Sequence, residues 1–291
     1  MRNVTADIVT DLTPAGGLRV ALNLGNPVLV QGTSAAPRGV TVDIANELAA
    51  RVGVPAEFRC FDAARDCFAA VVTGEADLCF LAIEPARADS IAFTAPYVLI
   101  EGVYAVPRES RLTTVTEVDS ADVRIGVKHG SAYDLFLTRT LRHASVVRGA
   151  EGTEEFVTGN LEAAAGVREP MTEFVAAHPA CRLIEGRFME IRQALGTART
   201  KRPETTRFLH DLVEELKATG FVADALRRSG QTAPVAPPAA LRLVCMFRPE
   251  AAGGAPCTGP GTGAPGAKPL PASWPTVPIG SARGGPAPTG P

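Results

Sequence analysis

The stretch IAFTAPYVLIEGVYAVP, residues 91–107, limits what this chain can fold into more than any other. It is long, extended in character and rich in β-branched residues, so it predicts a strand that leaves one lobe and enters another instead of closing a single sheet. A second crossing strand is predicted over 188–195. Two crossings imply two lobes and a cleft between them.

Around these crossings strands and helices alternate, the pattern of an α/β sheet protein. Leu18, Val20, Leu22 and Leu24 alternate with Arg19, Ala21 and Asn23, which predicts a strand with one face committed to a core. A helix over 43–51 places Ile44, Leu48 and Val52 on one stripe and stops at Gly53. A strand over 58–61, a helix over 62–73 and a buried strand over 76–82 follow. The second series comprises a strand over 123–127, helices over 132–141 and 154–158, a small-residue strand over 161–167 and a helix over 171–177. Helices after Pro203 and over 221–228 close the fold.

The expected organisation is an N-terminal extension over 1–17, a first lobe over 18–104 completed by 191–230, a second lobe over 105–190, and a disordered tail over 231–291. The tail is read from its Pro and Gly density, which sustains neither helix nor sheet. Its apolar island, 241–247, could dock as a short strand or form a transient cluster.

A chain of 291 residues can bury a substantial core, and its formal net charge of −2 gives no field that would favour nucleic acid or an anionic membrane. No stretch has the roughly eighteen unbroken apolar residues of a membrane span. The start, with Asp7 and Asp11, lacks the basic and apolar regions of a signal peptide, so as written the chain is expected to stay unexported. The six cysteines show no CxxC spacing, and Cys67 and Cys79 read as small core hydrophobes. His129, His143, His178 and His210 are scattered without metal-site spacing, and no GxSxG, P-loop or GxGxxG after a strand is present. No metal or cofactor is expected.

Gly39-Val-Thr-Val-Asp43-Ile-Ala, Gly74-Glu-Ala-Asp77, Arg87, Phe93-Thr-Ala-Pro-Tyr97 and Gly126-Val-Lys-His-Gly130-Ser131 occur in this order over about 18–230. In that order and spacing the chain resembles the family 3 extracellular solute-binding proteins, the amino-acid receptors of ABC importers. The resemblance implies a type II periplasmic-binding-protein fold, with two α/β lobes, two hinge strands and a ligand held by hinge closure. It also implies a monomer, a periplasmic location at odds with the missing signal peptide, and an ABC permease as partner; a cytoplasmic sensor is the alternative.

The resemblance makes Arg87 the carboxylate anchor, since a planar guanidinium can hold both oxygens. Pairing with Asp89 or Glu84 is the ordinary alternative. Ala82 falls near the family's small residue whose amide faces the carboxylate, with Ile83 beside it. Ser131 and Ala132 begin a helix whose free amides can meet an anion; Ser131 can equally be a plain N-cap, with Asp134 three residues on. Asn23 and Glu101 are expected polar lining residues, and Arg168 could add a positive group.

Three departures from the family pattern matter. The interval from Asp77 to Arg87 looks two residues short. Val167 stands where the amino-acid binders carry an Asp for the ligand's α-ammonium, which disfavours a standard amino acid unless Glu169 or Glu101 supplies the charge. Ala64 replaces an aromatic platform, with Arg65 beside it read as solvent-facing. The expected ligand is therefore a small carboxylate, such as a dicarboxylate or oxo-acid. Because proteins resembling cyclohexadienyl dehydratases share this fold, a lyase using Glu101 or Glu169 is the enzymatic alternative.

Overall fold

A computed structural model of the chain describes residues 4–239. Two α/β lobes share one sheet. In the first, β1 (Leu18–Asn23) runs parallel between β4 (Ala56–Phe61) and β5 (Leu78–Ala82). The crossing strands β6 (Ile91–Pro107) and β11 (Met189–Ala198) lie antiparallel to each other, and β11 also pairs antiparallel with β5. Beyond Gly102, β6 continues into the second lobe, where β9 (Ala163–Val167) joins one edge and β10 (Cys181–Leu183) the other. β7 (Arg124–Lys128) and β8 (Ser145–Gly149) extend that half in parallel from β9. The strand order is β4-β1-β5-β11-β6-β9-β7-β8, with β10 on β6.

Alternation along the strands divides each lobe into two cores. Leu18, Val20 and Leu22 face α2 (Val40–Val52) and α8 (Pro203–Ala218), where Leu48, Leu209, Leu212 and Leu216 are buried. Ala21, Cys79 and Leu81 face α3 (Ala64–Val72) through Cys67 and Val71. In the second lobe Tyr104 and Val106 point to one side, towards Val127 of β7 and Leu137 of α5 (Ala132–Thr140), and Val103 and Ala105 to the other. There α6 (Gly152–Thr158) and α7 (Arg168–Ala177) supply Phe156 and Met171. Cys67 and Cys79 are core residues, as expected, and burial pushes the Cys79 thiol up to about 12.

Two motif segments turn out to be structural. Asp77 accepts hydrogen bonds from the Arg19 amide at 3.0 Å, its Nε at 2.9 Å and its Nη2 at 2.7 Å, while the Gly74 carbonyl accepts from Arg19 Nη1 at 2.8 Å. This clamp staples the turn before β5 to β1. Gly39, at φ 117°, lies so close to the Leu29 carbonyl that a side chain there has no room, and α2 starts from it at Val40, three residues earlier than predicted.

The sequence reading is corrected in several places. The N-terminal extension contains α1 (Ala6–Leu12), whose Leu12 is fully buried and whose Asp11 accepts from Thr205 Oγ1 at 2.6 Å, so it is part of the first lobe. A hairpin, β2 (Gln31–Thr33) with β3 (Ala36–Arg38), was not predicted, nor were α4 (Pro85–Ala88), β8 and β10. α7 begins at Arg168, not at 171. α9 (Phe221–Arg228) matches its prediction. Residues 231–239, placed in the tail, pack on the first lobe: Val235 bridges Val98, Leu99 N donates to the Pro234 carbonyl at 3.0 Å, and Ala233 and Ala236 are buried. Residues 240–291, with the apolar island 241–247, lie outside the described residues.

Candidate ligand-binding site

Between the lobes lies a cavity of about 160 Å³. The first lobe contributes Asn23 at the end of β1 and Gly25 just after it, Phe80 and Ala82 on β5, and Arg87 on the short helix α4. The second contributes Lys128 at the end of β7, Ser131 and Ala132 at the start of α5, Glu151 before α6 and Val167 at the end of β9. Gln193 enters from β11 at a register shift in the β6–β11 ladder; such irregularities re-aim a side chain.

Arg87 dominates the electrostatics. It is 3% exposed, and its Nη1 and Nη2 donate to the carbonyls of Ala82 at 3.3 Å and Gly130 at 2.9 Å. Neither expected acid takes it up. Glu84 instead receives Arg139 Nη1 from α5 at 2.9 Å, and no carboxylate among the described residues forms an ion pair with Arg87. Burial lowers the Arg87 pKa from its ordinary value, opposed by the nearby thiols and Glu84. A desolvated guanidinium satisfied only by carbonyl dipoles keeps donors and charge available for an anion.

The second lobe answers with a rigid turn. Gly130 has φ 71°, and Asp134, 2% exposed, accepts from the Gly130 amide at 2.8 Å and from Arg148 Nε at 2.9 Å. Ser131 Oγ accepts from the Asp134 amide at 3.1 Å, so Ser131 caps α5 and also lines the cavity. The Asp134 carboxylate reaches the Gly130 amide, one residue before the cap. The first amides of α5 have no intrahelical acceptor, and they begin at the cavity wall. Tyr133, packed beside them, has its hydroxyl pKa pushed up to about 12 by burial.

Residues 18–230 match the family model described as bacterial extracellular solute-binding proteins, family 3. The chain belongs to this family. No curated protein sequence matches it. Among solved structures, a mutant of ArgBP from T. maritima superposes with TM-score 0.64 at 20% identity, covering 77% of this chain and 99% of that one. The amino acid ABC transporter substrate-binding protein AbpA from Streptococcus pneumoniae, bound to L-arginine, gives 0.62 at 18% identity, with 75% and 96% covered. The ancestral amino-acid-binding protein AncCDT-1, a precursor of cyclohexadienyl dehydratase, gives 0.62 at 19%, with 77% and 99% covered. At such identities the likeness establishes the two-lobed fold of periplasmic binding proteins.

In this solute-binding protein the predicted site residues divide. Arg87, Ala82, Ser131, Ala132 and Asn23 line the cavity, as do Val167 and Ala64. Ile83 does not; its amide is spent on the Arg192 carbonyl at 2.9 Å. Glu101 and Arg168 also lie outside the lining: they are hydrogen-bonded to each other, and Glu101 accepts from Arg187 Nη1 at 3.1 Å. Burial opposes the shift, but the two arginines hold the Glu101 carboxyl below its ordinary range. Glu169 is outside as well, with Oε2 buried and without a hydrogen-bond partner. Arg65 lies outside the lining and is exposed, while its Nη1 donates across the cleft to the His129 carbonyl at 2.9 Å. Lys128, Glu151 and Gln193 were missed. Lys128 was already inside the quoted Gly126–Ser131 motif, and its polar neighbour before a turn was the available signal.

Proposed function

We propose that this solute-binding protein clamps a small carboxylate between its lobes, with Arg87 as the anchor and the first amides of α5 as the opposing contact. One observation carries the reading: a cation 3% exposed at a cavity wall with no carboxylate among the described residues paired to it. A ligand carboxylate would supply the missing charge and exchange weak carbonyl bonds for charge-assisted ones. Val167 at the end of β9 leaves an apolar wall, so the ligand class is a carboxylate without an α-ammonium. Binding is favoured over lyase chemistry because, among the described residues, Glu151 is the one carboxylate lining the cavity, and it is paired with Lys128, while Glu101 is held by two arginines. An ABC permease is the partner the family suggests.

Calorimetric titration with dicarboxylates, oxo-acids and L-amino acids tests the reading. Arg87→Ala should weaken the bound carboxylate at least about a hundredfold, the lower bound for losing two hydrogen bonds to a charged group at roughly 1.5–3 kcal/mol each. Tight binding of a zwitterionic amino acid that survives Arg87→Ala would overturn both anchor and ligand class. A second reading, an amino-acid ligand, is favoured by the unpartnered Glu169 Oε2, one residue from the cavity-lining Pro170; it requires Glu169→Gln to weaken amino-acid binding.

A further inference from the structure

We infer that Lys128 is a second anion-binding group in the cavity, so that the ligand carries two acidic groups, one held by Arg87 and the other by the Lys128 ammonium. The inference rests on the cavity being the ligand site and names the far end of that ligand. Lys128 leaves the end of β7 and reaches across the cleft: a methyl group built on Gly25 would meet the Asp62 carbonyl oxygen at 2.2 Å, Lys128 Nζ at 2.8 Å and Asn23 Oδ1 at 3.1 Å. The ammonium therefore sits against the loop after β1.

The pairing around Lys128 decides the sign of its partner. Its counter-ion is Glu151, but the two ends are unequally placed, the lysine side chain being 13% exposed and the glutamate side chain 55%. Glu151 can swing into water at little cost. The ammonium cannot leave so cheaply, because it is already desolvated between the lobes and would stay unpaired when Glu151 turns away. An incoming carboxylate restores the pair inside the cleft. A cationic ligand end would instead have to meet Lys128 itself, at the cost of like-charge contact.

The charge balance of the lining agrees. Arg87 and Lys128 are positive and Glu151 is negative, so the cavity suits one negative charge with the Lys128–Glu151 pair intact and two when Glu151 is displaced. In the same lining, Phe80, Ala82 and Val167 offer apolar walls for a short carbon skeleton.

Calorimetry on the full chain with succinate and glutarate against butyrate and pentanoate tests this. The diacid should bind at least about tenfold more tightly than the monoacid of equal length, and Lys128→Met and Lys128→Gln should each bring that ratio close to one, the loss of one charge-assisted contact. Two lysine variants are used, each checked for an unchanged thermal midpoint. Equal binding of diacid and monoacid by the unaltered protein, or a preference that persists in both lysine variants, would overturn the role of Lys128 while leaving Arg87 as anchor, provided Arg87→Ala still weakens the monoacid. If no carboxylate binds better to the unaltered protein than to Arg87→Ala, the carboxylate reading itself fails and this inference with it.

Discussion

At the scale of single residues, buried charge is deployed in two ways in this protein. Asp77 and Arg19 satisfy each other and tie strand to strand; Arg87 is left to backbone carbonyls. A fourth charged residue, Asp119, shows how pH enters. Its carboxylate accepts the amides of Ala144, His143 and Arg142, and these bonds hold its pKa below the ordinary value. A depressed carboxyl contributes stability that is complete above its unfolded pKa and is lost as pH falls through the folded one. Asp119→Asn should therefore lower the urea midpoint at neutral pH, with the difference shrinking in acid below the ordinary carboxylate range. Arg87 is legible in the sequence as a cavity residue because it stands in order within the run of quoted motifs; its hold on a carboxylate is the proposal made above. Glu101 and Arg168 were misplaced for the opposite reason: they are far apart in the chain, and only the pairing of β6 with β9 and β11 brings them together to neutralise one another outside the cavity.

Among the elements, long periodic ones could be read and short ones could not. The stripes of α2 and α8 and the alternation of β1 announce themselves, whereas β2, β3 and β10 have three residues each and depend on partners elsewhere. The stretch 231–239 was misread because its Pro and Ala content resembles a linker. Yet it gives up little chain entropy and finds ready acceptors and donors along the free edge of β6. Besides the contacts of Pro234 and Val235, the Ala236 amide donates to the Tyr97 carbonyl at 3.0 Å, Lys217 Nζ to the Pro237 carbonyl at 3.0 Å, and the Ala239 amide to Glu214 Oε2 at 3.0 Å. A chain ending at Gly230 should be about 3 kcal/mol less stable than one ending at Ala239, from four lost hydrogen bonds of roughly 0.5–1.5 kcal/mol each, as read by urea denaturation.

On the scale of the whole molecule, the lobes are held together by contacts that the ligand need not touch. The Glu84 side chain, 5% exposed, takes Arg139 from the facing lobe, and Arg65 reaches the His129 carbonyl beside it. Removing Arg139 leaves the Glu84 carboxylate desolvated in the closed arrangement but hydrated when the lobes part. Arg139→Ala should thus favour the open form, weakening ligand binding about tenfold and enlarging the radius of gyration of the unliganded protein in X-ray scattering. The sequence predicted the two crossings from which this geometry follows, though not the ion pair, which requires the lobes to be docked. The crossings have a further consequence. Because β6 runs unbroken from its ladder with β11 in the first lobe into its pairing with β9 and β10 in the second, a core that melts in either half frays a strand that the other half needs. Heating should therefore give a single calorimetric peak, and a ligand seated against only a handful of residues should raise the melting of every core at once.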